Sequence, residues 1–261
     1  MKRSSGARLC ATAAIGALSL SLLTACSDEG SKDTADPKTS AASSAAASSA
    51  PAAKALTKAE LEKLLLAQGE LKGYKVDSGD DTLPASKSVV KTDKPACDPL
   101  AWATAALAPG DTDASVGNTV AEDKTSAATA KPTDLADAFD IDMTFVGLSS
   151  YAGDGAEKAM KAVSDGVAAC AGGFGLTADS EKTKITKISA AKGSGKGDET
   201  VAFTEEVDMD GQGKATAHAE VVRKGNTVAT FYTVNFAAMA KGGDLGPVPA
   251  AVIDAQVAKL K

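Results

Sequence analysis

Phe139-Asp140-Ile141-Asp142-Met143-Thr144-Phe145 alternates apolar and polar side chains without a break. Successive side chains of a strand point to opposite faces, so this reads as a β-strand with one buried and one wet face. Beyond Ser150 the period changes. Asp154 with Glu157 has the spacing of a helix start, and Ala156, Met160, Val163, Val167 and Cys170 then recur at helical intervals. Gly172-Gly173 ends that helix. The remainder reads as a meander. Strands are expected over roughly 182–190, Glu199 to Met209, 214–223 and 227–236. Gly193 to Gly197, Asp210-Gly211-Gln212-Gly213 and Lys224-Gly225-Asn226 supply the turns. Val252, Ile253, Gln256, Val257 and Leu260 outline a C-terminal helix.

Upstream of the alternating stretch the signals are sparser. Thr57-Lys58-Ala59-Glu60 fits a capping box, with Leu56 and Leu61 spaced as a hydrophobic staple. Leu61, Leu64 and Leu65 continue an apolar face, and Gly69 is the expected stop. A strand is expected at Tyr74 and Val76. Asp98, followed by Pro99, is placed to cap a helix that carries Trp102 and runs to about Leu107. Residues 109–134 are polar and rich in Gly, Thr and Asp, which reads as a loop with one short strand around Val116. Helices followed by a run of strands and a closing helix define an α+β class. The expectation is one domain over 55–261, with a largely antiparallel sheet packed by helices.

The N-terminus has another character. Lys2, Arg3 and Arg8 precede an uncharged run from Leu9 to Leu23, which has the length of a signal sequence rather than a bilayer span. Leu23-Thr24-Ala25-Cys26 then resembles the lipobox of bacterial lipoproteins. The resemblance implies a signal peptide over 1–25, a diacylglyceryl group on Cys26 and retention on the outer face of the cytoplasmic membrane. Two acyl chains suffice for a stable anchor. Residues 27–54 are mostly Ser, Ala, Thr, Lys, Asp and Pro, with no large apolar side chain. Such a segment cannot bury a core, so 26–54 is expected to be a disordered tether with an end-to-end distance of about 30 Å.

Of the 28 basic residues, Lys2, Arg3 and Arg8 lie in the leader, and none of the 34 acidic residues does, so the chain from Cys26 on carries a net charge near −9. That balance argues against nucleic acid as a partner. With Cys10 in the leader and Cys26 lipidated, Cys97 and Cys170 are left in an oxidising compartment. They pair with each other most simply; two buried free thiols are the alternative. A metal site would need ligands that two cysteines and a single distant histidine do not supply.

Other candidate sites dissolve on inspection. His218 lies mid-strand, opposite in parity to Ala217 and Ala219, and no Gly-x-Ser-x-Gly elbow accompanies it. Glu206-Val207-Asp208-Met209-Asp210-Gly211 imitates the first half of a calcium loop, but Ala217 stands where the bidentate Glu belongs. Gly193-Ser194-Gly195-Lys196-Gly197 lacks the first Gly of a phosphate loop, at Ala190, and its Ser/Thr, at Gly197. It reads as a flexible turn. No catalytic, metal or cofactor residue is assigned.

Ser150-Tyr151, the helix ending at Ala169-Cys170, Phe203 to Val207, Val221-Val222-Arg223 and Gln256-Val257-Ala258-Lys259-Leu260 together resemble secreted actinobacterial lipoproteins related to the extracellular sensor domain of PknH-type serine/threonine kinases. The resemblance spans roughly 56–261. It implies an α+β fold with a ligand-binding cleft and no catalysis. That family commonly has two disulfides, whereas this chain has cysteines for one. The expected function is a non-catalytic binding or sensor module of the envelope, whose partner is an unidentified ligand or protein. A carrier for lipids or cell-wall precursors would need an enclosed apolar cavity. An envelope-polymer hydrolase would need paired carboxylates with perturbed pKa in a groove.

Overall fold

Five strands in succession, β5 (Phe174–Ala178), β6 (Glu181–Ala191), β7 (Glu199–Asp208), β8 (Lys214–Lys224) and β9 (Thr227–Asn235), each turn back on the last to make an antiparallel meander. The computed structural model describes residues 54–79, 81–112, 114–124, 140–211 and 213–261, which belong to one compact unit. The leader, Cys26, the tether to residue 53, Phe139 and Gln212 of the expected turn lie outside the described residues. Asp179 and Ser180, both at positive φ, form the two-residue turn between β5 and β6, a strand pair that the sequence reading missed at β5.

The rest of the chain extends this sheet. β4 (Asp142–Ser150) pairs with β9, β3 (Ser115–Glu122) with β4, and β1 (Tyr74–Asp77) with β3 at one edge. β2 (Val90–Thr92) closes the other edge against β5, giving the order β1-β3-β4-β9-β8-β7-β6-β5-β2. β9 leaves β8 after the Thr233–His218 pair, and the two-residue β10 (Gly243–Asp244) takes its place, parallel to the start of β8. The fold is therefore the expected α+β domain with a large, mainly antiparallel sheet.

Helices cover both faces. On one face α2 (Asp98–Thr104) and α3 (Gly155–Ala169) place Leu100, Met160 and Val163 against Ile188, Phe203, Val221 and Val228. On the other, α1 (Lys58–Glu62) and α5 (Ala250–Ala258) place Leu61, Val252 and Ile253 against Val120, Val146, Val222 and Phe231. Gln256 is buried in that second layer, where it accepts from the Leu66 amide and donates to the Leu64 carbonyl. A short α4 (Phe236–Lys241) comes directly after β9, where the sequence reading placed no helix. No helix among the described residues is long and apolar enough to cross a membrane.

Several expectations are corrected. β4 has no wet face over most of its length: Val146 and Leu148 enter one core layer, while Gly147 and Ser149 face the other, beneath α2 and the loop after it. The alternation at 139–145 belongs to its open end; strand pairing begins at Asp142 and runs on to Ser150. β3 is a full eight-residue strand, because its polar Asn118 and Thr119 are buried in the sheet rather than solvated in a loop. The capping box of α1 forms, with the Thr57 amide donating to Glu60 at 2.8 Å and the Glu60 amide to Thr57 at 3.3 Å. That helix nevertheless ends at Glu62, well before Gly69, since Leu64 to Leu66 are drawn onto Gln256. Asp98 is the first residue of α2 rather than its cap, and its carboxylate receives the Thr92 hydroxyl at 2.7 Å. Asp154 caps nothing with its side chain and pairs with Lys158 instead. α2 stops at Thr104, not Leu107, because Ala106 turns the chain at φ 55° and passes its carbonyl over β4.

That crossing requires a glycine. A Cβ at Gly147 would stand 2.5 Å from the Ala106 carbonyl oxygen and 2.6 Å from Thr230 Oγ1. Gly147→Ala is expected to cost about 2–3 kcal/mol, through forced displacement of the loop over the sheet centre. Urea denaturation checks this; a variant with an unchanged midpoint would show that the loop gives way freely.

Candidate functional site

Cys97 and Cys170 are disulfide-bonded, with Cα atoms 5.9 Å apart, and tie the start of α2 to the end of α3. This staple fixes the helical layer over β6, β7, β8 and β9 but leaves their other end bare on the same face. There a cleft of about 560 Å³ opens. Its floor is the sheet: Phe145 and Tyr232 stack with centroids 6.2 Å apart, and Ile185, Val207 and Ala215 continue the apolar surface. Ala101 and Ala105 at the end of α2 form one wall, and Met239 of α4 and Leu245 the opposite one. The loop residues Leu83 and Pro84 overhang it.

One side chain does not belong in such a setting. Glu205 lines the cleft at 2% exposure, paired across the strands with Ile188 on β6 and Ala217 on β8. Its Oε1 is fully buried and has no hydrogen-bond partner among the described residues. Loss of water without any compensating donor pushes its carboxyl up to about 8. At neutral pH it is therefore mainly the uncharged acid. Burial, and next the charge of Glu205, also push the Tyr232 phenol up, so both polar groups of the floor are neutral there.

The contrast with Glu220 shows what a structural buried carboxylate looks like here. Glu220 is 6% exposed on the opposite face, and it accepts the Ser194 amide at 3.1 Å and the Ser194 hydroxyl. The Gly193–Gly197 turn is thus pinned by a carboxylate of β8, rather than left flexible, and its Ser194 donors are in use. Glu205 has no such counterpart. Its signal was present in the alternation of β7, where Val201, Phe203, Glu205 and Val207 share one parity. An acid in an apolar row is legible, but the row gives no hint whether a partner awaits it.

The other sequence candidates lie apart. His218 is half-buried on the face opposite the cleft, with Nε2 2.8 Å from the Asp244 carboxylate of β10. β10 exists beside it only because β9 diverges, so the pairing was invisible in sequence. Glu206 accepts from Thr186 and Lys214, each at 2.5 Å, which occupies the acid of the calcium-like stretch. Asp210 and Gly211, both at positive φ, make that stretch a hairpin turn. Among the described residues no group of three or more His, Cys, Asp or Glu is placed to hold a metal ion.

A larger cleft, about 1050 Å³, flanks the edge where β1 stops short of the full length of β3. It has charges of both signs, among them Lys58, Glu62 and Asp77. Its Lys87 is committed, donating to the Gly110 carbonyl at 2.6 Å with the ammonium 4.1 Å from the Trp102 ring centroid. Asn118 donates to the Leu66 carbonyl, leaving Oδ1 unpaired. A solvated, mixed-charge cleft selects poorly, so the smaller apolar cleft with its buried acid is the better candidate.

No protein-family model matches the chain, and no curated protein matches it. Among solved structures the chain is similar to the extracellular domain of PknH from Mycobacterium tuberculosis, at 15% identity and a TM-score of 0.44, covering 79% of this chain and 98% of that one.

Proposed function

We propose that this chain is an extracytoplasmic lipoprotein that binds a small, largely apolar molecule in the Glu205 cleft without turning it over. The observation that carries the reading is the buried Glu205 carboxyl in an apolar wall, whose Oε1 is fully buried with no hydrogen-bond partner among the described residues. A group of this kind costs stability unless something outside the fold satisfies it. The volume suits a compound of drug-like size. The cleft is open, which favours capture and release over the enclosed carriage of an acyl lipid. Hydrolysis of a glycan would call for a second carboxylate held across the scissile bond. The other acids of this wall, Asp208 and Asp210, sit at the half-exposed to exposed end of the β7–β8 hairpin.

Protein purified from its own envelope, extracted and analysed by mass spectrometry, should yield a bound compound. Returned at a hundredfold excess over its dissociation constant, that compound should stabilise the fold by about 2.7 kcal/mol, a shift of several degrees in Tm. Recovery of the compound unchanged supports binding. Turnover of an envelope polymer, lost on replacing Glu205 and Asp208, would overturn it.

The anchor in this proposal is the lipid on Cys26, supported by Leu23-Thr24-Ala25-Cys26 after a charged and then apolar leader. Cys26→Ala should block cleavage and leave the precursor at full length on a gel. Cleavage after Ala25 with continued membrane fractionation of that variant would rule out the lipobox.

A further inference from the structure

We propose that the cleft selects a cation: an apolar molecule carrying a protonated amine, whose N–H groups are received by the Glu205 carboxylate. This rests on the reading of the cleft as a ligand site. It adds the chemical class of the ligand.

Charge complementarity argues for it. Among the described residues the lining includes Glu205, Asp208 and Asp210 and no Lys, Arg or His. An anionic ligand would meet repulsion at the hairpin end and find no cationic side chain in the described lining to offset it, only neutral hydroxyls such as that of Tyr232 and the acid itself. A neutral apolar ligand would cover the Glu205 carboxyl without satisfying its two oxygens. An ammonium group supplies charge and donors together, and its apolar remainder replaces water over Phe145, Tyr232 and Leu245.

The geometry around Glu205 leaves little else to answer it. Its cross-strand neighbours are Ile188 and Ala217, and Phe203 and Val207 flank it along β7. α2 brings Ala101, Thr104 and Ala105 to the cleft, and α4 brings Met239. Tyr232 on β9 is the titratable group that senses its charge, with Asp208 and Asp210 the remaining acids of the wall. Burial holds the empty-site carboxyl as the acid at neutral pH. Binding then proceeds as R–NH₃⁺ plus Glu205–COOH to the ammonium–carboxylate pair, with the Glu205 proton released to solvent. Charge and protons balance, and the released proton is a signature that a merely apolar fit cannot produce.

Octylamine, octanol and octanoate share a chain and differ in the head group. Titration calorimetry of the full-length protein, in buffers of different ionisation enthalpy at neutral pH, should show octylamine binding with release of about one proton per ligand. Octanol and octanoate should bind about thirtyfold or more weakly. Glu205→Gln, close in shape and neutral, should bring octylamine down to the level of octanol and abolish proton release. The proton count on the unaltered protein stands independently of how well that variant folds. Octanol binding as tightly as octylamine, with no proton released, would overturn the cation and leave the cleft as an apolar site. No binding by any of the series would sink the cleft reading and this proposal with it.

Discussion

Glu205→Gln should flatten the pH dependence of stability more than any other single substitution in this protein. The ordinary carboxyl value is 4.5, and burial raises it to about 8 in the fold. Between these values the folded state holds a proton that the unfolded state has lost, so stability falls as pH rises. The penalty is absent below about pH 4.5, where both states are protonated. It reaches its full size above about pH 8, up to about 5 kcal/mol for a shift of that extent. Exposed carboxylates act in the opposite sense. Asp198, held below the usual range first by the Gly225 amide and then by Lys224, and Glu206, by Lys214 and Thr186, contribute stability present above their unfolded values and lost as pH falls below them. The unaltered protein is therefore expected to be most stable near about pH 5 and to weaken towards pH 8. Urea midpoints across that window should decline for the unaltered chain and stay level for Glu205→Gln. Parallel declines in both would show that water or a protein donor relieves Glu205.

Removing the disulfide should have the second largest effect. Cys97 and Cys170 are separated by 73 residues, and both are buried. In the chain-entropy picture, closing a loop of that length is worth about 4 kcal/mol, so the double replacement by Ala should lower Tm by roughly 10 °C. The loss should be felt at the cleft as well, because α2 supplies Ala101 and Ala105 to its wall and would no longer be tied to α3. Calorimetry with and without reductant measures the stability. Peptide mapping without reduction should recover the cross-linked pair. Full alkylation of both thiols in unreduced, denatured protein would show that the bond does not form.

The meander was legible because its physics is local. β6 to β9 are separated by Gly-, Asp- and Asn-rich turns, and β7 alternates within itself, so these strands are marked off by local residues. The stripe of α3 was legible for the same reason, down to Cys170 at its end. The capping box at Thr57 is likewise a contact within four residues. Sequence therefore determined the α+β class, the antiparallel order of the second half and the identity of the two cysteines available to pair.

Tertiary structure decided what depends on partners far along the chain. β3 is polar in sequence and is a strand because β4 and β1 bracket it. The length of α1 is set by Gln256, about 190 residues away, and that of α2 by the crossing over Gly147. His218 acquires Asp244 only because β9 peels away from β8. The cleft obeys the same rule. Glu220 and Glu205 are both acids within buried stretches of adjacent strands, and nothing local separates them. A turn from elsewhere brings Ser194 to one, and among the described residues the fold brings no hydrogen-bond partner to Oε1 of the other. Burial and hydrogen bonding are sums over neighbours that only the assembled sheet and its helices supply, and that sum turned one ordinary glutamate into the candidate site.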